Sequence, residues 1–205
     1  MPLAVPLSKK RKLIQALAVG VTLMPATALV AQFAINGPGA NPIEEVTHVT
    51  GEWGLRFVLL SLAITPARQF FGWRWAPPLR RTIGLAGFCY AALHLATYAY
   101  FDLGLDKDAI FEDLTERPYV MVGMAGFVLL LILAMTSTQG WMKRLGSRWH
   151  KLHKLVYVAA TLGVAHHFWL IKADYRPAIV HGALLVGLLG ARMASRSRKA
   201  VLSPG

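Results

Sequence analysis

Charge is scarce in this sequence. Asp, Glu, Lys and Arg make up 16% of its 205 residues and hydrophobic types 55%, whereas soluble domains carry about a quarter charged residues. Carboxylates are scarcer still, ten against 22 Lys and Arg, which leaves a formal net charge of +12. The shortage excludes an ordinary water-soluble domain, and a mean hydropathy of +0.46 agrees. A strong positive balance would suit nucleic acid, but these cations stand between apolar runs and not on one polar face, so no nucleic-acid partner is expected. A single cysteine, Cys89, excludes an internal disulfide and any Cys-x-x-Cys redox or zinc site. Cys89 lies in an apolar run, where packing is its expected role. Alternation at period two is missing, which argues against a β-barrel. His-Glu-x-x-His, Gly-x-Ser-x-Gly, the P-loop and Gly-x-Gly-x-x-Gly are all missing. The chain therefore offers no motif for a metalloprotease, a serine hydrolase or a nucleotide-binding domain. No internal repeat and no low-complexity segment is evident.

What is present is a series of apolar runs of about spanning length. They cover residues 13–35, 48–65, 82–103, 118–137, 152–171 and 177–191. Pro66 is expected to end the second. The first follows Lys9-Lys10-Arg11-Lys12. Ala26-Thr27-Ala28 offers a cleavage site for a secretory signal, but the apolar run continues past it, so an uncleaved first helix is expected. Basic clusters stand at the N-terminus, after the second run, after the fourth and at the C-terminus. Acidic connections follow the first and third runs. This alternation predicts an all-α, polytopic bundle of six transmembrane helices with both termini cytoplasmic. Residues 1–12 form a basic cytoplasmic N-terminus, 13–191 the membrane domain, and 192–205 a basic cytoplasmic tail.

The chain has seven histidines, and ionisable side chains inside spans are costly and usually functional. His94 lies twelve residues into the third run. His166 lies at a comparable depth in the fifth. Two imidazoles at one depth on different helices suit the opposite faces of a haem in an apolar bundle. His153 is 13 residues before His166, about 20 Å along an ideal helix, so it would serve a second centre nearer the cytoplasm. Helical phase favours His167 over His166 as the residue stacked with His153. His48 is expected to be interfacial, His150 solvated or lipid-facing, and His181 structural.

The residues His48-Val-Thr50-Gly51, Ile64-Thr65-Pro66, Arg80-Arg81-Thr-Ile-Gly84-Leu85, Leu93-His94-Leu95, Arg117-Pro118-Tyr119, Thr136-Ser-Thr-Gln139, Arg148-Trp149-His-Lys-Leu152-His153, Tyr157 and His166-His-Phe-Trp169 resemble the MsrQ (YedZ) family. The resemblance runs from His48 to Trp169, and its specificity lies in the ordered set. It implies the ferric-reductase-like transmembrane superfamily and a haem b protein of the bacterial inner membrane, with flavin mononucleotide (FMN) in some members. Electrons would pass from the quinol pool or a flavin reductase to a periplasmic molybdopterin enzyme that reduces methionine sulfoxide in oxidised proteins. The family's haem-associated, metal-binding histidines carry over to His94, His153 and His166, with Trp169 fixing the register on His166. One histidine stands in the third run where larger ferric reductases have two, which leaves His153 without an assigned partner. Arg80, Arg81 and Arg148 on the inside, and Arg117 and Arg176 on the outside, are candidates to pair with propionates or a flavin phosphate. A cytochrome b561-like quinol oxidoreductase with another acceptor shares the two-histidine physics. A small transporter with proton-relay histidines would be colourless.

Overall fold

A computed structural model describes residues 9–171 and 174–201. Residues 1–8, 172–173 and 202–205 lie outside it, as do the side chains of Lys10, Arg11, Arg196, Arg198 and Lys199. Much of the predicted basic N-terminus and tail therefore falls on undescribed residues.

Each apolar run becomes helix, and the described residues are helical throughout apart from their connections. The long elements are α1 (Lys9–Asn36), α2 (Pro42–Phe71), α3 (Leu79–Thr97), α5 (Pro118–Met135), α8 (Leu155–Leu170) and α9 (Arg176–Val201). Short helices fill the connections, with α4 (Lys107–Glu116) in the acidic one and α6 (Gln139–Leu145) and α7 (Ser147–Leu152) in the basic one. Asn41 caps α2 by accepting from the Glu44 amide, with Pro42 in the first turn and left-handed Gly72 (φ 68°) closing the far end. Pro66 does not end this helix as expected. It is buried inside α2, which runs one further turn to Phe71. Alpha geometry in α3 gives way to a π segment, Tyr98–Asp102.

Among the described residues, four stretches are long and apolar enough to cross a membrane: Lys12–Asn36, Leu79–Asp102, Pro118–Met135 and Arg176–Ser195. The other two long helices miss that description for plain reasons. α8 has 16 residues, and α2 carries Glu52 and Arg56, which pair with each other at i, i+4 while the guanidinium covers the Trp53 ring. Large apolar side chains face outward along α1 and α9; Ile35 is 80% and Val186 71% exposed. Apolar surface of that extent belongs against lipid. Cys89, expected to pack, is exposed as well.

The interior is built from two helix hairpins, α2 with α3 and α5 with α8, and these repeat each other. A methyl group at Gly54 would stand 3.2 Å from the Ala91 amide nitrogen and 3.4 Å from the Gly87 carbonyl. At the corresponding place, one at Gly126 would stand 3.8 Å from the Gly163 nitrogen and 3.7 Å from the Ala159 carbonyl. All three positions are displaced along the chain by one constant offset, 54 to 126, 87 to 159 and 91 to 163. The expectation of no internal repeat is thus corrected. The repeat is carried by small residues where backbones touch, too few to show as sequence similarity. α9 and α8 pack against α2 around Leu55, Val58, Leu59, Leu62, Ala160 and Leu185. α1 lies against α3.

Candidate functional site

His94 projects from α3 toward α2, and its Nδ1 lies 2.9 Å from the Thr47 carbonyl oxygen. His166 projects from α8 toward α5, with Nδ1 2.7 Å from the Tyr119 carbonyl oxygen. Both bonds link residues 47 positions apart, so they are the same contact in the two halves of the repeat. A carbonyl can only accept. Nδ1 therefore carries a proton in each ring, and in the neutral imidazole Nε2 is the nitrogen with the free lone pair. The two imidazoles meet in the interior, with ring centroids 6.2 Å apart and planes 79° apart.

Glycine makes the approach possible. A methyl group at Gly51 would stand 2.9 Å from His94 Nδ1, and one at Gly123 would stand 2.7 Å from His166 Nδ1. Neither glycine was singled out for this role from the sequence. The available signal was their common spacing from the two histidines.

His167 points elsewhere. Its ring meets His181 of α9 at 5.2 Å. The phase relation between His153 and His167 holds only within one unbroken helix, and His153 and Lys154 lie in a turn before α8 begins. Phase cannot be carried through that turn. His181 is buried, at 4% exposure. His48 is exposed beside Glu44, and His150 is exposed against Trp149.

His153 sits at the opposite end of α8 from His166. Its ring stacks on Trp149 at 3.9 Å, and Nε2 lies 3.2 Å from the Thr136 hydroxyl. It lines a cavity of about 400 Å³ among α2, α3, α5, α7, α8 and α9. Arg80, Arg81, Lys154 and Arg192 also line this cavity, with no carboxylate among its walls. Arg192 Nη1 and the Tyr157 hydroxyl are buried there without hydrogen-bond partners, the guanidinium lying over the Tyr157 ring. Arg192 and Lys154 were not among the sequence candidates. Arg148, which was, is exposed and does not line the cavity.

At the His94–His166 end, Asp113 of α4 is buried. It accepts from the Tyr98 hydroxyl and pairs with Arg117 at 3.1 Å. The Tyr119 hydroxyl, and then the Asp113 charge, hold the Arg117 guanidinium above its ordinary pKa. Arg176 is 93% exposed and only 4.0 Å from Asp174.

Comparison with known proteins shows the family. The family described as "Ferric reductase like transmembrane component" matches residues 50–164, a segment that holds His94 and His153 and stops just short of His166. A protein of Caulobacter vibrioides named "Protein-methionine-sulfoxide reductase heme-binding subunit MsrQ" is 44% identical over 208 residues, covering 95% of this chain and 99% of the relative. The chain belongs to the MsrQ family. Two further MsrQ proteins bear the same description. That of Rhodospirillum rubrum is 45% identical over 86% of each chain. That of Xanthomonas euvesicatoria is 47% identical over 76% of this chain and 71% of its own. The matched ferric-reductase-like segment holds His94 and His153 and most of the MsrQ chain's two hairpins, and His166 follows two residues after it.

Proposed function

We propose that this chain is the haem b subunit of a protein-methionine-sulfoxide reductase system in the bacterial inner membrane. In this reading it spans the membrane six times with both termini cytoplasmic. It takes electrons from the quinol pool or a flavin reductase and delivers them to a periplasmic, molybdopterin-containing catalytic subunit, where methionine sulfoxide is reduced. The family names support the haem and the reductase system.

The observation that carries the proposal is the His94–His166 pair. Metal–imidazole bonds of about 2.0–2.1 Å on opposite faces of one ion put ring centres roughly 6 Å apart, and the observed separation is 6.2 Å. Both Nδ1 atoms are bonded to carbonyls, the outer-shell arrangement usual for ligating histidines. The residues therefore fit a haem, which His94 and His166 would hold. A haem held there supplies a one-electron carrier inside an apolar bundle. His94 and His166 would bind and orient it, and the surrounding apolar helices would exclude water.

The cavity at His153 supports a second, anionic cofactor. Its cations and its two orphaned polar atoms suit haem propionates or the phosphate of FMN. His153 would be an iron ligand in the first case and a cavity-lining residue in the second. Flavin fluorescence after denaturation distinguishes the two.

The test is an optical spectrum of the purified protein with a pyridine haemochrome count per chain. His94→Ala and His166→Ala should each abolish most of the absorbance from that haem, while His167→Ala should retain it. A full haem spectrum in both of the first two variants sinks the assignment.

A further inference from the structure

We propose that Gly51 and Gly123, acting with the carbonyls of Thr47 and Tyr119, are positioning residues that fix the tautomer and the donor strength of His94 and His166. This rests on the haem reading above and adds to it the residues that tune the ligands.

In a helix the carbonyl of residue i pairs with the amide of residue i+4, so Thr47 pairs with Gly51 and Tyr119 with Gly123. A carbonyl has two lone pairs and can accept a second bond from outside the helix if nothing covers it. At each of these turns the covering group would be the side chain at i+4. Glycine removes it, and the imidazole takes the space; a methyl group would stand 2.9 Å from His94 Nδ1 and 2.7 Å from His166 Nδ1. Real Cβ atoms do not tolerate either distance. Glycine inside a helix costs about 1 kcal/mol relative to alanine. The chain accepts that cost twice, at equivalent positions of two hairpins and against the same atom of the same residue type.

The consequence is chemical. An Nδ1–H held on a carbonyl directs the lone pair of Nε2 to the metal and raises the basicity of the ring. Axial ligand strength is one of the levers on haem potential. Two rings fixed by bonds of 2.9 and 2.7 Å also cannot rotate freely, so their near-perpendicular planes are built into the hairpins. The neighbours Gly54 and Gly126 face partner-helix backbone at 3.2 and 3.7 Å in the two halves, and neither has an imidazole among its near contacts. Packing accounts for them and does not account for Gly51 and Gly123.

The experiment compares Gly51→Ala, Gly123→Ala and Gly187→Ala in the full chain; Gly187 has nothing within 4 Å of an added methyl group. Gly51→Ala and Gly123→Ala should lower haem affinity about 10- to 100-fold, the usual effect of losing an outer-shell partner. The haem they retain should show a more positive midpoint potential and a high-spin fraction. Gly187→Ala should show neither. If the first two variants change haem affinity and potential no more than Gly187→Ala does, the proposal is overturned. A second measurement needs no variant to fold. In the reduced, ¹⁵N-histidine-labelled wild type, His94 and His166 should each carry the proton on Nδ1; a proton on Nε2 of either overturns the placement. A wild type that binds no haem overturns the haem reading separately, because the ¹⁵N result still decides the tautomers.

Discussion

His153 is held by a side chain that performs two tasks. The Trp149 ring stacks on the imidazole at 3.9 Å, and its Nε1 donates to the Thr136 carbonyl at 2.9 Å, while the Thr136 hydroxyl meets His153 Nε2. The two tasks separate by substitution. Trp149→Phe keeps a stacked ring and loses the indole bond, which should destabilise by about 0.5–1.5 kcal/mol. Trp149→Ala loses the ring contact as well, worth about 0.5–1.5 kcal/mol more. Thermal unfolding in detergent reads both. Equal destabilisation by Phe and Ala would mean that the stack contributes nothing. At this scale the sequence was legible where depth along a helix decided the matter. Counting residues from the charged boundary put His94 and His166 at one level, and they meet in the interior. Angular phase was not legible, because no pattern in Leu152-His153-Lys154-Leu155 betrays a turn between two helices. Gly51 and Gly123 were illegible for another reason. Their function lies in the space they leave, and that space is defined by a neighbouring helix.

Among the six long helices, α1 makes the thinnest contact with the rest, packing Ile14, Ala18 and Ala26 against the core and meeting one buried hydroxyl. Pro25 lies inside α1, where proline removes one ladder bond and pushes the preceding turn open. The Tyr90 hydroxyl enters that opening, accepting from the Ala26 amide at 3.0 Å and donating to the Thr22 carbonyl at 3.0 Å. Both backbone groups face apolar surroundings, where an unsatisfied group is expensive. Tyr90→Phe should therefore loosen α1 by about 1–3 kcal/mol while sparing the hairpins. Hydrogen exchange at the Ala26 amide should speed up, with α3 and α8 unchanged; unaltered exchange at Ala26 would show that the turn recloses on its own. Helical class and the approximate helix positions could be read directly from apolar runs. The internal repeat could not, because its two copies coincide mainly at backbone contact points such as Gly54 and Gly126. Nor could α4, α6 and α7, which are too short and too polar to stand out from a charged connection.

The molecule as a whole is strongly polarised. Its ten carboxylates all fall toward one end of the bundle. Glu44, Glu45 and Glu52 open α2, six lie from Asp102 to Glu116, and Asp174 precedes α9. The His94–His166 pair lies toward that end, and the cavity of Arg80, Arg81, Lys154 and Arg192 toward the other. Under the proposed function, orientation in the membrane would decide which side each site serves. Cations near the helix ends bias the insertion machinery toward keeping their side cytoplasmic, and carboxylates contribute little to that choice. The basic end is thus predicted to face the cytoplasm, with the His94–His166 pair toward the periplasm and nearest a periplasmic acceptor. The rule is testable through its determinants. Alkaline phosphatase fused within the connection at Lys107 should be active, and a fluorescent protein fused after Gly205 should fluoresce. Replacing Lys143, Arg144, Arg148 and Lys151 with Gln should weaken the bias, each cation near an anionic leaflet being worth about 1 kcal/mol, and should give a mixed population by both reporters. The carboxylates Asp106, Asp108 and Glu112, changed to Asn and Gln, should leave orientation as it was. An inverted reporter pattern in the unaltered chain would place the basic cavity outside, and the proposed route from a cytoplasmic donor to a periplasmic acceptor would then run against the arrangement of the sites.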